Sequence, residues 1–370
     1  MNIAIQSADL DADRIDGTRV YLLRLLERFG RIAPEHMWHL FHRQSFNPAL
    51  APPCLPNYFP HAIPFPFFWT QTRFSAEIFR LKPDRLFVPV QTLPFFLPKD
   101  TQSIVTIHDL AFKLFPEHFP ARDRRRLNWF TDFAVQRASR LIAVSESTKR
   151  DILKYYPDTL EEKIRVIHHG FDAPDNSVPP AESASILEKF HLKSKRYLLY
   201  VGAIQPRKNL LRLLQAFEFC APHSPDMKLV IAGEAAWMSE SVFRAREEHP
   251  FRDRIIITDR ISFKERASLY REARIFVFPS LYEGFGLPIL EAFAAEIPVI
   301  TANNSSLPEV AGGAALFVDA DSVDALAESI RSLWTDEEMQ KSLIDRGKKQ
   351  LEKFSWDRSA KKTLEWILGE

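Results

Sequence analysis

Two carboxylates, Glu283 and Glu291, stand with seven residues between them around a turn that carries Gly284, Phe285, Gly286 and Leu287. The apolar run Ile275–Pro279 before them reads as a buried strand, and Pro288 after them suits the start of a helix. Proline is tolerated there because the N–H it lacks has no intrahelical partner. Glycines allow backbone to approach a ligand that a Cβ would push away. The amides of Gly286 and Leu287, aligned with the helix dipole, then make a ready anion site. Amides suit phosphate, whereas carboxylates suit the vicinal hydroxyls of a sugar or ribose. A site holding both fits a sugar nucleotide. The plain reading of Glu291 is helix stabilisation, since a carboxylate in the first helical turn is favourable by itself.

A second candidate follows the apolar run Tyr197–Val201, where Gly202 leads to Arg207, Lys208 and Asn209 at an expected helix start. Arginine can fork across two phosphate oxygens and lysine acts as a point charge. Near the N-terminus, the strand Asn2–Ser7 runs through Asp16-Gly17-Thr18 into apolar residues at helical spacing. That order suits a phosphate-binding opening, although the G-x-G-x-x-G pattern is absent. His108 ends the expected strand Ser103–Ile107, where open α/β sheets place their ligands; the alternative is a structural imidazole bonded to its own loop. His168 and His169 are adjacent, so an extended chain points them to opposite faces. No Cys or third His lies nearby, and no metal site is expected.

Positioning these residues takes a long series of short apolar strands alternating with helical segments, the pattern of two parallel-sheet α/β domains. At 370 residues the chain exceeds one ordinary core. The stretch APDNSVPPAESAS, residues 173–185, has linker composition, which gives an N-terminal domain over 1–172, a second over 186–355 and a final helix over 356–370. Ser145 is expected to cap the helix after it, and Ser306 with Glu309 reads as a capping box. The longest stretch without Asp, Glu, Lys or Arg, Gln44 to Thr72, holds seven prolines. Those break any membrane-spanning helix, so it reads as a loop. The start MNIAIQSADL lacks the basic and long apolar regions of a signal peptide.

Net charge is +1 over the whole chain, which implies no attraction to nucleic acid. Residues 1–170 carry 23 Lys and Arg against 18 Asp and Glu, and the remainder 26 against 30. The two cysteines, Cys54 and Cys220, have no metal or redox spacing and suit a reducing cytosol.

The segment Pro279-Ser280 through Leu290-Glu291 resembles the E-x7-E signature of retaining family-4 glycosyltransferases, enzymes of the two-Rossmann-domain GT-B fold. The likeness spans nearly the whole chain. Its most specific residues, Arg207, Lys208, Glu283, Phe285, Gly286, Leu287 and Glu291, lie in the second half. VTIHDLAFKLFPEHFP and PFFWTQTRF look most like bacterial mannosyltransferase-type members. The chain departs from the family at Gly17, where two adjacent glycines are common, and at Asp259, where glycine is usual.

The resemblance implies two Rossmann-like domains facing a cleft, with an acceptor-binding N-domain to which the final helix over 356–370 crosses back, and transfer of a hexosyl unit with retention. The donor would be a nucleotide sugar, GDP-mannose first and UDP sugars next, and the acceptor a saccharide or lipid-linked saccharide in envelope or exopolysaccharide synthesis. Arg207 and Lys208 would grip the diphosphate, Glu283 the sugar hydroxyls and Glu291 the ribose. His108 would hold the sugar or steady charge at the anomeric carbon, and Gly17 would approach the donor. No metal or cofactor is implied. A sugar-nucleotide epimerase and a non-catalytic sugar-nucleotide binder are the alternatives on this fold. The expected location is cytoplasmic. Phe65, Phe67, Phe68 and Trp69 with Arg122, Arg124, Arg125 and Arg126 are read two ways, as a contact with an anionic membrane surface or as a packed loop beside a solvated helix face.

Overall fold

Strands without polar alternation, such as Tyr-Leu-Leu-Tyr-Val at 197–201, must be covered on both faces, as parallel strands between helices are. A computed structural model describes residues 1–13, 15–172 and 178–370. It divides into two compact units, one of Met1–Lys113, Ala121–Gly170 and Phe354–Glu370, the other of Leu114–Pro120 and Phe171–Lys353.

The first unit is built on β1 (Asn2–Gln6), β2 (Met37–His42), β3 (Tyr58–Ala62), β4 (Arg85–Val88), β5 (Gln102–Ile107), β6 (Arg140–Ala143) and β7 (Ile164–Val166). They form a seven-stranded parallel sheet in the order β3-β2-β1-β4-β5-β6-β7. Ile3 of β1 lies between Trp38 of β2 and Arg85 of β4. The second unit carries β8 (Tyr197–Val201), β9 (Lys228–Ala232), β10 (Ile255–Thr258), β11 (Ile275–Phe278), β12 (Val299–Ala302) and β13 (Ala315–Val318). These run parallel in the order β10-β9-β8-β11-β12-β13. In each sheet the chain winds outward from one strand and then returns to that strand's other side. Connections leaving β1 and β4, or β8 and β11, therefore diverge and open a crevice at the carboxyl ends of the strands.

Helix Trp356–Leu368 belongs to the first unit, where Trp356, Ala360, Leu364 and Ile367 share a core with Leu22, Leu25 and Phe29 of helix Gly17–Ile32. Its entry is tight: a Cβ on Gly170 would lie 2.1 Å from the Trp356 backbone nitrogen.

Three expectations change. Tyr58–Ala62, inside the expected loop, is β3. It sits at the sheet edge, where Pro60 can lack an N–H without breaking a second ladder. Residues 173–177 of the expected linker lie outside the described residues, and Pro180–Lys189 is a helix opened by proline. Leu114–Pro120, placed by sequence in the N-terminal half, packs with the second unit: the Trp237 indole donates to the His118 carbonyl at 2.7 Å.

Candidate functional site

The switch point of the second sheet collects most of the sequence candidates. Past β8 the chain makes a short helical turn, Pro206–Lys208, and Asn209 takes a left-handed conformation, φ 61°. The Asn209 amide donates to the carbonyls of Pro279 (3.0 Å) and Ala320 (2.7 Å), and the Leu281 amide to the Arg207 carbonyl (2.9 Å). The β8 and β11 connections are thereby tied together. Arg207 Nη1 reaches the Tyr282 carbonyl at 2.9 Å and Glu283 Oε2 at 3.1 Å, while Lys208 Nζ bonds Glu283 Oε1. Lys208 and Glu283 are buried. Burial alone would push the Glu283 carboxyl up, but Lys208 and then Arg207 outweigh it and hold the group below the usual carboxylate range. Glu283 is ionised and shared between two cations.

Glu291 lies on helix Leu287–Ala294, one residue beyond the first turn rather than in it, which weakens the dipole account of its presence. Arg266 holds its carboxylate at 3.1 Å. Burial first, then the charge of Glu291, pushes the nearby Tyr270 hydroxyl well above its ordinary range. The helix begins after Gly286, whose φ of +117° no L side chain adopts easily, and no side chain caps it. Phe285 is buried beneath this turn, and Leu287 opens the helix.

Ser306 is not a cap. Its own backbone is helical (φ −84°, ψ −8°), and its hydroxyl donates to the carbonyls of Glu283 (2.9 Å) and Phe285 (2.6 Å). Ser305 Oγ accepts from the Glu283 amide at 3.0 Å. The real capping box is Ser262 with Glu265, where an extended cap residue lets the hydroxyl turn toward the helix. Both sites read S-x-x-E, and only the backbone separates them. Arg266, Ser305, Ser306 and Asn209 were missed as site residues. Pairings such as Arg266 with Glu291 leave no spacing signal, whereas Asn209 directly follows the basic pair.

His108 and Gly17 belong to the first unit, not to this cluster. Gly17 is the first residue of helix Gly17–Ile32, behind Asp16, whose side chain accepts the Arg19 amide. From the end of β5, His108 contacts the Pro89 carbonyl through Nε2 at 2.8 Å and meets Tyr21 edge-on, centroids 5.2 Å apart. The His108 carbonyl accepts a 3.5 Å hydrogen bond from Thr148. His169 stacks on His108 at 5.6 Å, while His168 turns to Phe354. Burial lowers both the His108 and His169 imidazoles, the latter well below the ordinary value. Among the described residues, no three His, Cys, Asp or Glu side chains are grouped to hold a metal ion.

Two doubly wound parallel sheets, one with cations and carboxylates gathered at its switch point, are the architecture of GT-B glycosyltransferases. Residues 15–174 match the description Glycosyltransferase Family 4, and residues 184–350 match Glycosyl transferases group 1. The chain is 30% identical to O-antigen chain mannosyltransferase B of Escherichia coli, over 73% of its own length and 71% of that protein. It is 26% identical to O-antigen chain mannosyltransferase RfbU of Salmonella typhimurium, over 73% and 70%. The crystal structure of Anabaena Alr3699/HepE in complex with UDP and glucose superposes with a TM-score of 0.77 over 100% of both chains, at 16% identity. The chain belongs to the family-4-type glycosyltransferases and resembles their bacterial mannosyltransferases.

Proposed function

We propose that this glycosyltransferase moves a hexosyl unit, mannose from GDP-mannose in the first instance, onto a saccharide or lipid-linked saccharide with retention at the anomeric carbon. The observation that carries the donor site is the convergence of Arg207 and Lys208 on Glu283 at the β8/β11 switch point. The mannosyl assignment is supported by the O-antigen mannosyltransferase relatives. A UDP sugar is the second reading, favoured by the structural neighbour that binds UDP and glucose.

In the proposed reaction the bond from the anomeric carbon to the diphosphate breaks, and its electron pair stays on the leaving phosphate oxygen. The acceptor hydroxyl bonds to the same face of that carbon and passes its proton to the leaving oxygen, so no protein nucleophile is required. Arg207 and Lys208 stabilise the charge gathering on the diphosphate, with the amides of Gly286 and Leu287. Losing one such donor costs about a hundred- to thousandfold in rate. Glu283 orients the sugar hydroxyls and Glu291 the ribose. In the first unit, His108 is assigned to the transferred sugar and Gly17 to approach of the donor. Two cationic side chains do the work of a metal, so chelators leave the rate unchanged.

The test is a thermal-shift panel of GDP, UDP and ADP and their sugars, because a ligand of the native state raises the melting temperature by mass action. A shift with GDP and GDP-mannose that Arg207→Ala and Glu291→Ala abolish is expected. Unchanged shifts in both variants would remove the site. The enzyme is further proposed to work at the cytoplasmic face of the membrane. No helix among the described residues is long and apolar enough to cross one.

A further inference from the structure

The edge of the first sheet carries two imidazoles that the proposed reaction does not use. β2 and β3 pair in parallel, with His39 opposite Phe59 and Phe41 opposite His61, so the four rings share one face of the ladder. The histidines are diagonal neighbours there, and His39 Nδ1 stands 2.9 Å from His61 Nε2. Aromatic packing fixes both rings. Phe59 stacks on His39 at 5.3 Å and Phe41 on His61 at 4.7 Å, and the two imidazole planes are 25° from parallel. On the other side of the His39 ring, Nε2 donates to Asn2 Oδ1 at 3.4 Å. A hydrogen on Nε2 leaves Nδ1 of the neutral ring with a bare lone pair, aimed at His61. Metal-ligating histidines are oriented in this way, by an oxygen on the nitrogen that does not bind.

Charge and distance select what the pair can hold. Burial lowers both imidazoles below their ordinary value; His61 adds to the effect at His39, and at His61 Glu77 opposes it while His42 adds to it. Both rings are therefore neutral near pH 7, and a cation need not displace a proton from either. While His61 carries its hydrogen on Nε2 it donates to His39. With that hydrogen on Nδ1 instead, a second lone pair stands beside the first and no proton is lost. Glu77, on helix Ser75–Leu81, brings a negative charge to His61, although Arg73 and Arg80 share its carboxylate. Asp84 brings another to Asn2, whose backbone amide it accepts at 2.7 Å. Two metal–imidazole bonds of about 2.0–2.1 Å put their nitrogens about 2.9 Å apart at a right angle and about 3.3 Å apart at the tetrahedral angle. The 2.9 Å between His39 and His61 is the right-angled spacing, which suits tetragonal Cu²⁺ and Ni²⁺ better than tetrahedral Zn²⁺. His39 and His61 are half-buried and Phe59 is exposed, so solvent reaches this face of the ladder.

We infer that His39 and His61 form a two-imidazole chelate for a divalent transition-metal ion of tetragonal preference, with Asn2 orienting His39 and water completing the coordination shell. The ion ties the edge strand β3 to β2 and so acts on stability, not on transfer. The inference rests on the first unit alone and does not depend on the donor assignment. Calorimetric titration of the untagged full chain, stripped with EDTA, with Cu²⁺, Ni²⁺, Zn²⁺ and Mg²⁺ tests it. One equivalent of Cu²⁺ or Ni²⁺ is expected to bind, Cu²⁺ more tightly, with Zn²⁺ weaker and Mg²⁺ silent. Each bound ion should raise the melting temperature by mass action. The electron paramagnetic resonance spectrum of the Cu²⁺ form should carry the splitting of two imidazole nitrogens. His39→Gln and His61→Gln should each abolish Ni²⁺ binding, and Asn2→Ala should weaken it about tenfold. His223→Gln, at an exposed histidine of the second unit, should leave it unchanged. All variants should keep the nucleotide-induced shift, which separates a lost metal site from a failed donor site. If either histidine variant fails to fold, the Cu²⁺ spectrum of the parent and the Asn2→Ala titration decide. The inference is overturned if the parent binds no stoichiometric Cu²⁺ or Ni²⁺, leaving a plain hydrogen-bonded imidazole pair. It is also overturned if the Cu²⁺ spectrum lacks two imidazole nitrogens, or if both histidine variants retain the ion.

Discussion

Glu283 illustrates how a single carboxylate can neutralise two cations at once. Lys208 is buried with it and Arg207 half-buried, and burying unpaired cations is expensive. Under the proposed function, a diphosphate at the same pair would replace Glu283 as the counter-ion and release the glutamate for the sugar. Glu283→Gln should therefore tighten binding of the free nucleoside diphosphate by about tenfold, on the scale of a charge-assisted hydrogen bond, while transfer falls. Isothermal titration with diphosphate and with intact donor separates the two effects; weaker diphosphate binding would show that Glu283 is no placeholder. Under the same proposal a ribose would compete with Arg266, which holds Glu291 at 3.1 Å. Arg266→Ala is expected to improve nucleoside affinity modestly and to lower stability little, since the arginine is partly exposed.

Elements explain which parts of the site could be read from sequence. The β8 and β11 turns were legible because a buried strand followed by glycine and a charged or proline-opened segment is a local pattern. Their pairing across the switch point follows from the strand order. Ser306 was misread because a serine three residues before a glutamate gives the same string whether its backbone is extended or helical. Its hydroxyl bonds the carbonyls of Glu283 and Phe285, so Ser306→Ala should cost about 0.5–1.5 kcal/mol and weaken donor binding, measured as a lower melting temperature and a raised KM. The same limit hid β3, where an edge position tolerates a proline that would break a central strand. In the first unit, His108 and His169 are both held neutral by burial. The unfolded chain binds their protons as pH falls through the ordinary value of 6.5, and the folded chain does not. Their contribution to stability is complete above that pH and declines below it. Unfolding by urea at pH 7.5 and 5.5 should show this loss, and His169→Asn should reduce the difference.

At the scale of the molecule, neither half of the sequence is a unit. The first unit is completed by Phe354–Glu370, and the second takes in Leu114–Pro120. Composition pointed to residues 173–185 as the boundary because prolines and small polar residues crowd there, whereas the return of the last helix was expected from the family resemblance alone and the excursion of Leu114–Pro120 left no signal in composition. The returning helix covers Leu22, Leu25 and Phe29 with Ala360, Leu364 and Ile367, all nearly inaccessible. Each large apolar side chain left uncovered forfeits about 1.5–3 kcal/mol, and a domain has only about 5–15 kcal/mol to lose. Residues 1–170 expressed alone should therefore aggregate or lack a cooperative transition. The same residues joined through a flexible linker to 354–370 should unfold cooperatively in calorimetry. Gly170→Ala in the full chain should reproduce part of the defect, because its Cβ would strike the Trp356 backbone at 2.1 Å, which no side-chain rotation can relieve. A stable, cooperative 1–170 fragment would mean that the last helix merely rests on the first unit rather than completing its core.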